Sequence, residues 1–374
     1  MRTCCLVPVL LLSLVAASFA QRQVTINPAT PEGRLLQQVK DESDDAKKVA
    51  LMDQFLTQYP KDEATGWIYS QMVASYAKLN QFDKAFAAAE KELAQDPTDM
   101  DTAYAALKAA ESKKDPDAVR KWAIQSSDLA RKVAQAPKGG EEEDDAYKAR
   151  VDSAKRLDTY TEYAVFNSAV QAAEPAKKVE LFKTLEERAP GSTYLPQSYG
   201  LYFQALVQSG NLPAAVALAE KLIPKGQANE EMVATTGDYI LRQNSDPQKV
   251  LDYSGKLIAM VNARAKPDGV SDADWQKYKN HFLGWGNWMT GVTYCVQKKF
   301  ADANKVLREA LPMLEGNDEY KAGALFNLGI ANSQLKNVAD SGKFFEQCTA
   351  INSPYKAMCA DNLKKIRSTY RVVR

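Results

Sequence analysis

The stretch DAKKVALMDQFLTQYP (residues 45–60) has a near-copy further along the chain in PAKKVELFKTLEERAP (residues 175–190). Ala46 recurs as Ala176, a shift of 176 − 46 = 130 residues, and Pro60 recurs as Pro190 at the same distance. Further matches keep close to this shift, and they pair Tyr69 with Tyr199, Ala85 with Ala215, Pro137 with Pro267, and Tyr147 with Tyr278. The order of the matches predicts a duplicated supermodule of about 130 residues.

A shorter period lies inside each copy. Four segments place an apolar residue after a turn and a small residue three positions later: NQFDKA (80–85), GNLPAA (210–215), KKFADA (298–303) and KNVADS (336–341). A helical pattern precedes each turn. Before the first turn, Tyr69, Val73 and Tyr76 share one face of a helix. The second helix of this unit ends before Pro97, which cannot continue a helix. Pairs of helices therefore repeat along the chain.

These repeats resemble the tetratricopeptide repeat, in which two helices and a tight turn recur about every 34 residues. Residues 66–97, 284–311 and 322–354 match best, whereas residues 99–133 and 228–265 match in spacing alone. Small residues such as Ala85, Gly291 and Ala303 would let paired helices approach closely, and each hairpin must stack on its neighbours to bury its apolar side. The resemblance implies an all-α fold, a right-handed superhelical solenoid of antiparallel helix hairpins.

The same patterns predict how the chain is divided. We expect a signal peptide at residues 1–20, a leader and first helix at 21–44, a first repeat module at 45–143, a second module at 144–273 that starts with a long helix over 144–173, a C-terminal pair of repeats at 274–353, and a capping helix at 354–374.

The first twenty residues, MRTCCLVPVLLLSLVAASFA, have the features of a secretory signal peptide. Arg2 precedes an apolar run, and a small-x-small pattern ends at Ala20. The run is shorter than the roughly 18 apolar residues that a membrane anchor needs. We therefore expect cleavage near Ala20, no integral membrane segment afterwards, and a periplasmic or secreted location. The sequence contains no Asn-x-Ser/Thr sequon, which favours a bacterial protein.

The charge balance argues against nucleic acid as a partner. Loss of the signal peptide leaves 47 Lys and Arg against 47 Asp and Glu, because only Arg2 is removed. A neutral chain has no global electrostatic attraction for nucleic acid or for anionic lipid. We expect no nucleic-acid partner.

The last segment, PYKAMCADNLKKIRSTYRVVR, is locally basic and amphipathic, as suits a helix that caps the array with one polar side.

No arrangement of residues in the sequence is typical of an enzyme. His281 is the single histidine, so metal sites and protease motifs built on histidine pairs are excluded. The sequence has no glycine-rich phosphate loop, no Gly-x-Ser-x-Gly elbow and no Cys-x-x-Cys pair. We predict no enzyme activity, no cofactor and no metal. The least favoured hypothesis is an enzyme of unfamiliar type whose catalytic groups are carboxylates alone.

Three cysteines, Cys295, Cys348 and Cys359, remain in the mature chain. In an oxidising compartment Cys348 and Cys359 could form a disulfide, since Pro354 between them would separate two antiparallel helices. The alternative is that both are small buried residues without a covalent bond. The sequence does not decide between the two.

In a tetratricopeptide array the first helix of each hairpin lines a concave groove, and the resemblance places six large apolar residues at or near it: Trp67, Trp285, Trp288, Val292, Phe326 and Ile330. These residues predict a groove for an extended peptide or an amphipathic helix of a protein partner. Alternatively, they fill gaps between helices as core. The favoured function is a non-catalytic exported scaffold in the cell envelope. The alternative is a binding protein for a small molecule, peptide or glycan, with a pocket around Trp285 and Trp288.

Overall fold

The computed structural model describes residues 24–372, with side chains through residue 368, so the predicted signal peptide lies outside the described part. The described residues form seventeen α-helices and no strand, which confirms the predicted all-α fold. The helices are α1 (Pro31–Asp41), α2 (Asp45–Gln58), α3 (Thr65–Lys78), α4 (Phe82–Gln95), α5 (Met100–Lys113), α6 (Pro116–Gln135), α7 (Asp144–Gln171), α8 (Pro175–Arg188), α9 (Leu195–Gln208), α10 (Leu212–Leu222), α11 (Glu230–Gln243), α12 (Pro247–Ala263), α13 (Asp272–Val296), α14 (Phe300–Ala310), α15 (Asp318–Gln334), α16 (Val338–Thr349) and α17 (Lys356–Val372).

Two short 3₁₀ turns, Ile223–Lys225 and Leu311–Leu314, follow α10 and α14. The longest helices are α7 with 28 residues and α13 with 25. None of the helices in residues 24–372 has both the length and the apolar character needed to cross a membrane.

The chain forms two compact units, of which the first ends at Ser198 and the second, beginning at Tyr199, includes most of α9. In unit 1, α3 packs on α4, α5 on α6, and α7 on α8; in unit 2, α11 packs on α12, α13 on α14, and α15 on α16. The first helix of each pair, here called the A helix, also contacts the next A helix, as α3 contacts α5 and α13 contacts α15. Helix hairpins that pack in chain order are the arrangement of a tetratricopeptide-like array.

Polar side chains define where many of the helices begin. Asp44, Asp99, Asp246 and Asn229 each accept a hydrogen bond from a backbone N–H of the first turn that follows them. Such caps satisfy donors that have no partner inside the helix. Proline is the first residue of α1, α6, α8 and α12 and the second of α10, where its missing N–H costs nothing.

One turn design joins the A helix to the second helix in six hairpins. The residue after the A helix, or one position beyond, has a positive φ of 49° to 77°, and these residues are Asn80, Lys114, Gly210, Asn244, Lys298 and Lys336. The next N–H then bonds back to a carbonyl in the last turn of the helix, as from Lys299 to Tyr294 at 2.8 Å and from Asn337 to Asn332 at 2.8 Å. This is the Schellman ending, and it turns the chain sharply enough for an antiparallel partner.

Small residues set the distance between paired helices. Ala85 and Ala303, which the sequence pattern singled out, are fully buried. A methyl group added to Gly291 would lie 2.4 Å from Cγ of Leu307, and one added to Gly329 would lie 2.5 Å from Cε1 of Phe345. These glycines therefore let α13 approach α14, and α15 approach α16, more closely than any larger residue allows.

The two halves of the predicted duplication have matching elements. Helices α2, α3, α4 and α5 begin at residues 45, 65, 82 and 100, and α8, α9, α10 and α11 begin at residues 175, 195, 212 and 230. A common ancestral module would produce this pattern, and the duplication itself stays a prediction.

Candidate functional site

The six apolar residues expected in a groove lie on A helices of both units. Trp67 is half-buried in α3 of unit 1. The other five lie in unit 2, where α13 carries Trp285, Trp288 and Val292, and α15 carries Phe326 and Ile330. All five except Trp288 are half-buried. Unit 2 therefore brings most of these residues to two A helices in direct contact.

Trp288 differs from the rest because it belongs to the interior of unit 2. Only 3% of its surface is exposed. Its indole packs against Gly323 of α15, where an added Cβ would lie 3.1 Å from the indole Nε1, and its ring centre is 4.7 Å from that of Tyr320. Trp288 thus joins α13 to α15. Of the two tryptophans in the predicted pocket, Trp285 is the one that a partner can reach.

Trp285 lies at the edge of an aromatic cluster in unit 2. Its ring centre is 5.3 Å from Tyr320 and 5.7 Å from the exposed His281. Further along α15, Phe326 lies 5.6 Å from Tyr355, which precedes α17. Aromatic rings at such distances contribute more than their buried area alone. We call Trp285, Trp288, Tyr320, Phe326 and Tyr355 the unit 2 aromatic cluster.

A charged network borders this cluster. The Tyr320 hydroxyl donates a hydrogen bond to Oδ2 of Asp238 at 2.9 Å, and Arg242 donates to Oδ1 of the same carboxylate at 2.9 Å. Arg242 also donates to Glu319 at 2.9 Å. Burial, together with the charge of Asp238, raises the pKa of Tyr320, so its hydroxyl remains a donor at neutral pH. Asp238 is buried, whereas the side chains of Arg242 and Glu319 are 49% and 50% exposed.

Together these groups form a surface of mixed chemistry on α11, α13 and α15. The indole N–H groups of Trp285 and Trp288 have no hydrogen-bond partner among the described residues. The exposed Arg242 is held in place by the carboxylates of Asp238 and Glu319. Aromatic rings and arginine are the side chains that contribute most to binding protein partners.

The sequence did not identify Asp238, Arg242, Tyr320 or Tyr355 as part of this site. The hydrogen bond between Tyr320 and Asp238 joins residues 82 positions apart, and the bond between Arg242 and Glu319 joins residues 77 apart. No local motif encodes such pairs. The only available signal was the placement of Asp238, Arg242 and Tyr320 on A helices, and Tyr355, which lies before α17, had no such signal.

Unit 1 carries a second set of aromatic residues on its A helices, which the sequence also did not identify. Ring centres follow one another at 5.2 Å from Tyr104 to Tyr160, 5.9 Å from Tyr160 to Tyr163, and 6.0 Å from Tyr163 to Tyr194. The Tyr160 hydroxyl donates to Glu111 at 2.7 Å. Tyr163 is 40% exposed. The tyrosines connect α5 to α7 and to the residue before α9.

Groups that could support catalysis are scattered. Among residues 24–372, no three His, Cys, Asp or Glu side chains are grouped as metal ligands would be. His281 is exposed and contacts Phe282 and Trp285 through its ring. Burial raises the pKa of the free Cys295 thiol to about 12, so it is not a thiolate nucleophile at neutral pH.

The other two cysteines among the described residues form a disulfide. It joins Cys348 of α16 to Cys359 of α17 with a Cα–Cα distance of 6.0 Å. Both cysteines are fully buried. The bond therefore fixes α17 to the last hairpin.

Comparison with known proteins gives matches in structure alone. No family model matches the sequence, and no curated protein matches it. The solved structures similar to this chain include a hetero-tetramer of the APC/C, Cut9–Hcn1 (14% identity, 91% of this chain, 57% of that chain, TM-score 0.35), the TPR domain of P58(IPK) (11%, 92%, 99%, 0.27) and yeast Tom70 (12%, 94%, 67%, 0.37). The chain thus spans little more than half of the Cut9–Hcn1 chain. At these identities and TM-scores the matches carry no argument about function.

Proposed function

We propose that this protein is an exported, non-catalytic scaffold that binds a protein partner in a bacterial cell envelope through the A-helix surface of unit 2. The observation that carries the proposal is the unit 2 aromatic cluster with its charged border on α11, α13 and α15. Trp285 is half-buried there against Tyr320, and Asp238 accepts hydrogen bonds from both Tyr320 and the exposed Arg242. A surface of this composition suits an extended peptide or an amphipathic helix.

Site-directed photo-crosslinking tests where a partner binds. A photoreactive amino acid is placed at Val292 or Ile330, which are half-buried on the A helices, and at Lys305, which is exposed on α14. After irradiation in the producing cell, we expect one discrete adduct from positions 292 and 330 and none from 305. Adducts of equal yield at all three positions, or none at any, would contradict the proposal.

The partner recovered in this way allows an affinity test. Replacing Trp285 by alanine removes the accessible ring, and we expect at least a tenfold increase in Kd, since central aromatic residues contribute most of the binding energy. Trp275→Ala is the matched control, because Trp275 is another half-buried tryptophan of α13 that stacks on Tyr278 at 5.1 Å. The control should leave Kd unchanged. Equal effects of both variants would place the contact elsewhere.

A binding protein for a small molecule, peptide fragment or glycan is the second candidate. The observation in its favour is that the Trp285 and Trp288 indole N–H groups lack partners in the described structure. However, the two best-formed cavities of the described chain have volumes of about 10 and 20 Å³, and neither is lined by these tryptophans. Such volumes hold about one water molecule. A thermal-shift screen decides: a ligand that raises the Tm of the parent protein and not of Trp285→Ala would favour this candidate.

A further inference from the structure

Opposite charges are concentrated in the two units, although the mature chain is neutral. Residues 24–198 contain 24 Lys and Arg against 30 Asp and Glu, a net charge of −6, or −5 when Arg22, which precedes them, is included. Residues 199–374 contain 22 Lys and Arg against 17 Asp and Glu, a net charge of +5. Unit 2 is therefore basic and unit 1 acidic, although the total charge is zero. An anionic partner would be attracted to unit 2 and repelled by unit 1.

Basic residues of unit 2 form a stripe along α17. Lys356, Lys364 and Arg367 stand at positions i, i+8 and i+11, which lie within a quarter of the helix circumference at about 100° per residue. All three are exposed. Arg367 donates a hydrogen bond to Glu346 of α16 at 2.9 Å, whereas neither Lys356 nor Lys364 forms an ion pair with any described residue. Arg371 continues the spacing in the sequence.

The side of α17 that adjoins the stripe holds the helix in a fixed orientation. Cys359 is fully buried and bonded to Cys348, and Leu363 and Ile366 are half-buried on the same side. Helix α17 packs on α16 and, less extensively, on α15, and it has no other extensive contact among the described elements. The disulfide and the apolar side thus fix the helix, and the stripe lies along their border, where Arg367 contacts α16 while Lys356 and Lys364 stay exposed.

We propose that the basic stripe of α17 binds an anionic lipid surface. Lys356 and Arg367 are about 16 Å apart along the helix axis. The side chains do not converge on a cavity, so no single phosphate or carboxylate could contact all of them. A lipid surface suits such a row, because its headgroups are dense and can move to meet each separate charge. The proposal goes beyond the proposed scaffold function and does not require a protein partner.

Vesicle co-sedimentation tests the proposal with the full mature chain. We expect the protein to pellet with vesicles of equal parts phosphatidylglycerol and phosphatidylcholine, and to remain in solution with phosphatidylcholine alone. Replacing Lys356 and Lys364 by glutamine should lower the partition coefficient by about 30-fold, which corresponds to about 1 kcal/mol per lysine. High salt should abolish binding, because the charges are exposed.

The matched control replaces two exposed lysines of unit 1, Lys40 and Lys47, by glutamine and should bind as the parent does. Circular dichroism would check that each variant remains helical. Failure of the parent to bind, or equal loss in both double variants, would overturn the proposal. Binding to soluble polyglutamate without binding to the anionic vesicles would assign the stripe to an acidic polypeptide and would also overturn it. None of these outcomes depends on the aromatic cluster, so the proposed function is tested separately.

Discussion

Gly329 is closely packed and Gly342 is not, although both belong to the α15–α16 hairpin. Replacement by alanine should therefore lower the free energy of unfolding at the first position and raise it at the second. Gly329 faces Phe345, and a methyl group there would lie 2.5 Å from its ring. Gly329→Ala should therefore lower the free energy of unfolding by about 1–3 kcal/mol through overpacking. At Gly342 the nearest side-chain atom would be 3.9 Å away, and Gly342→Ala should raise stability by up to about 1 kcal/mol. Urea unfolding measures both, and two changes of the same sign would refute the packing argument.

A left-handed residue at the end of an A helix gives a second prediction. Lys336 has a φ of 64°, a conformation that glycine adopts without steric cost. Lys336→Gly should stabilise the protein by roughly 0.5–1 kcal/mol. The same change at the exposed Lys343 inside α16 should destabilise it by about 1 kcal/mol. Thermal unfolding compares the two variants, and a loss of stability at Lys336 would show that its side chain contributes more than its backbone strain costs.

Asp101 should make stability depend on pH. Burial, with the neighbouring charge of Asp99, raises its pKa to about 6. Because the native pKa lies above the unfolded one, the native state binds the proton more tightly, and the free energy of unfolding should fall as pH rises from about 4 to 6. Asp101→Asn should therefore stabilise the protein at pH 7 and have less effect at pH 4, as measured by urea unfolding. An equal effect of Asp101→Asn at both pH values would contradict this account.

At the scale of elements, the disulfide determines how firmly α17 is attached. Replacing both Cys348 and Cys359 by alanine should cost about 2–3 kcal/mol, since the bond closes a loop of about a dozen residues. We expect faster hydrogen exchange in α17 and little change in α13. Replacing the free Cys295 by alanine is the control and should leave exchange in α17 unchanged. Unchanged protection of α17 in the double variant would show that its apolar side alone holds it.

The elements that the sequence predicted are those encoded by local patterns. The hairpin turns were evident because an apolar and a small residue recur at fixed spacing after each turn, and Ala85 and Ala303 are buried as this pattern requires. The candidate functional site could not be predicted in the same way from local sequence patterns. Trp285 and Trp288 occupy similar apolar positions three residues apart, and only the space left by Gly323 on a separate helix lets Trp288 enter the interior. Contacts of that kind exist only after hairpins have stacked.

At the scale of the whole molecule, contacts between neighbouring hairpins should make unfolding local. Helices pack mainly on those next to them in the chain. A destabilising substitution should therefore lower the stability of adjacent hairpins most. Gly329→Ala should therefore speed hydrogen exchange in α14 to α17 while α3 to α6 keep their protection. Uniform acceleration along the chain would indicate one cooperative unit instead. Mass spectrometry of peptic fragments after exchange measures the difference.

The uneven charge of the two units also has a practical consequence for purification. A neutral protein with evenly mixed charges would pass through ion-exchange resins of either sign at pH 7. This chain carries −6 on residues 24–198 and +5 on residues 199–374. It should therefore be retained at low salt by anion and cation exchangers alike, through different ends of the same polypeptide.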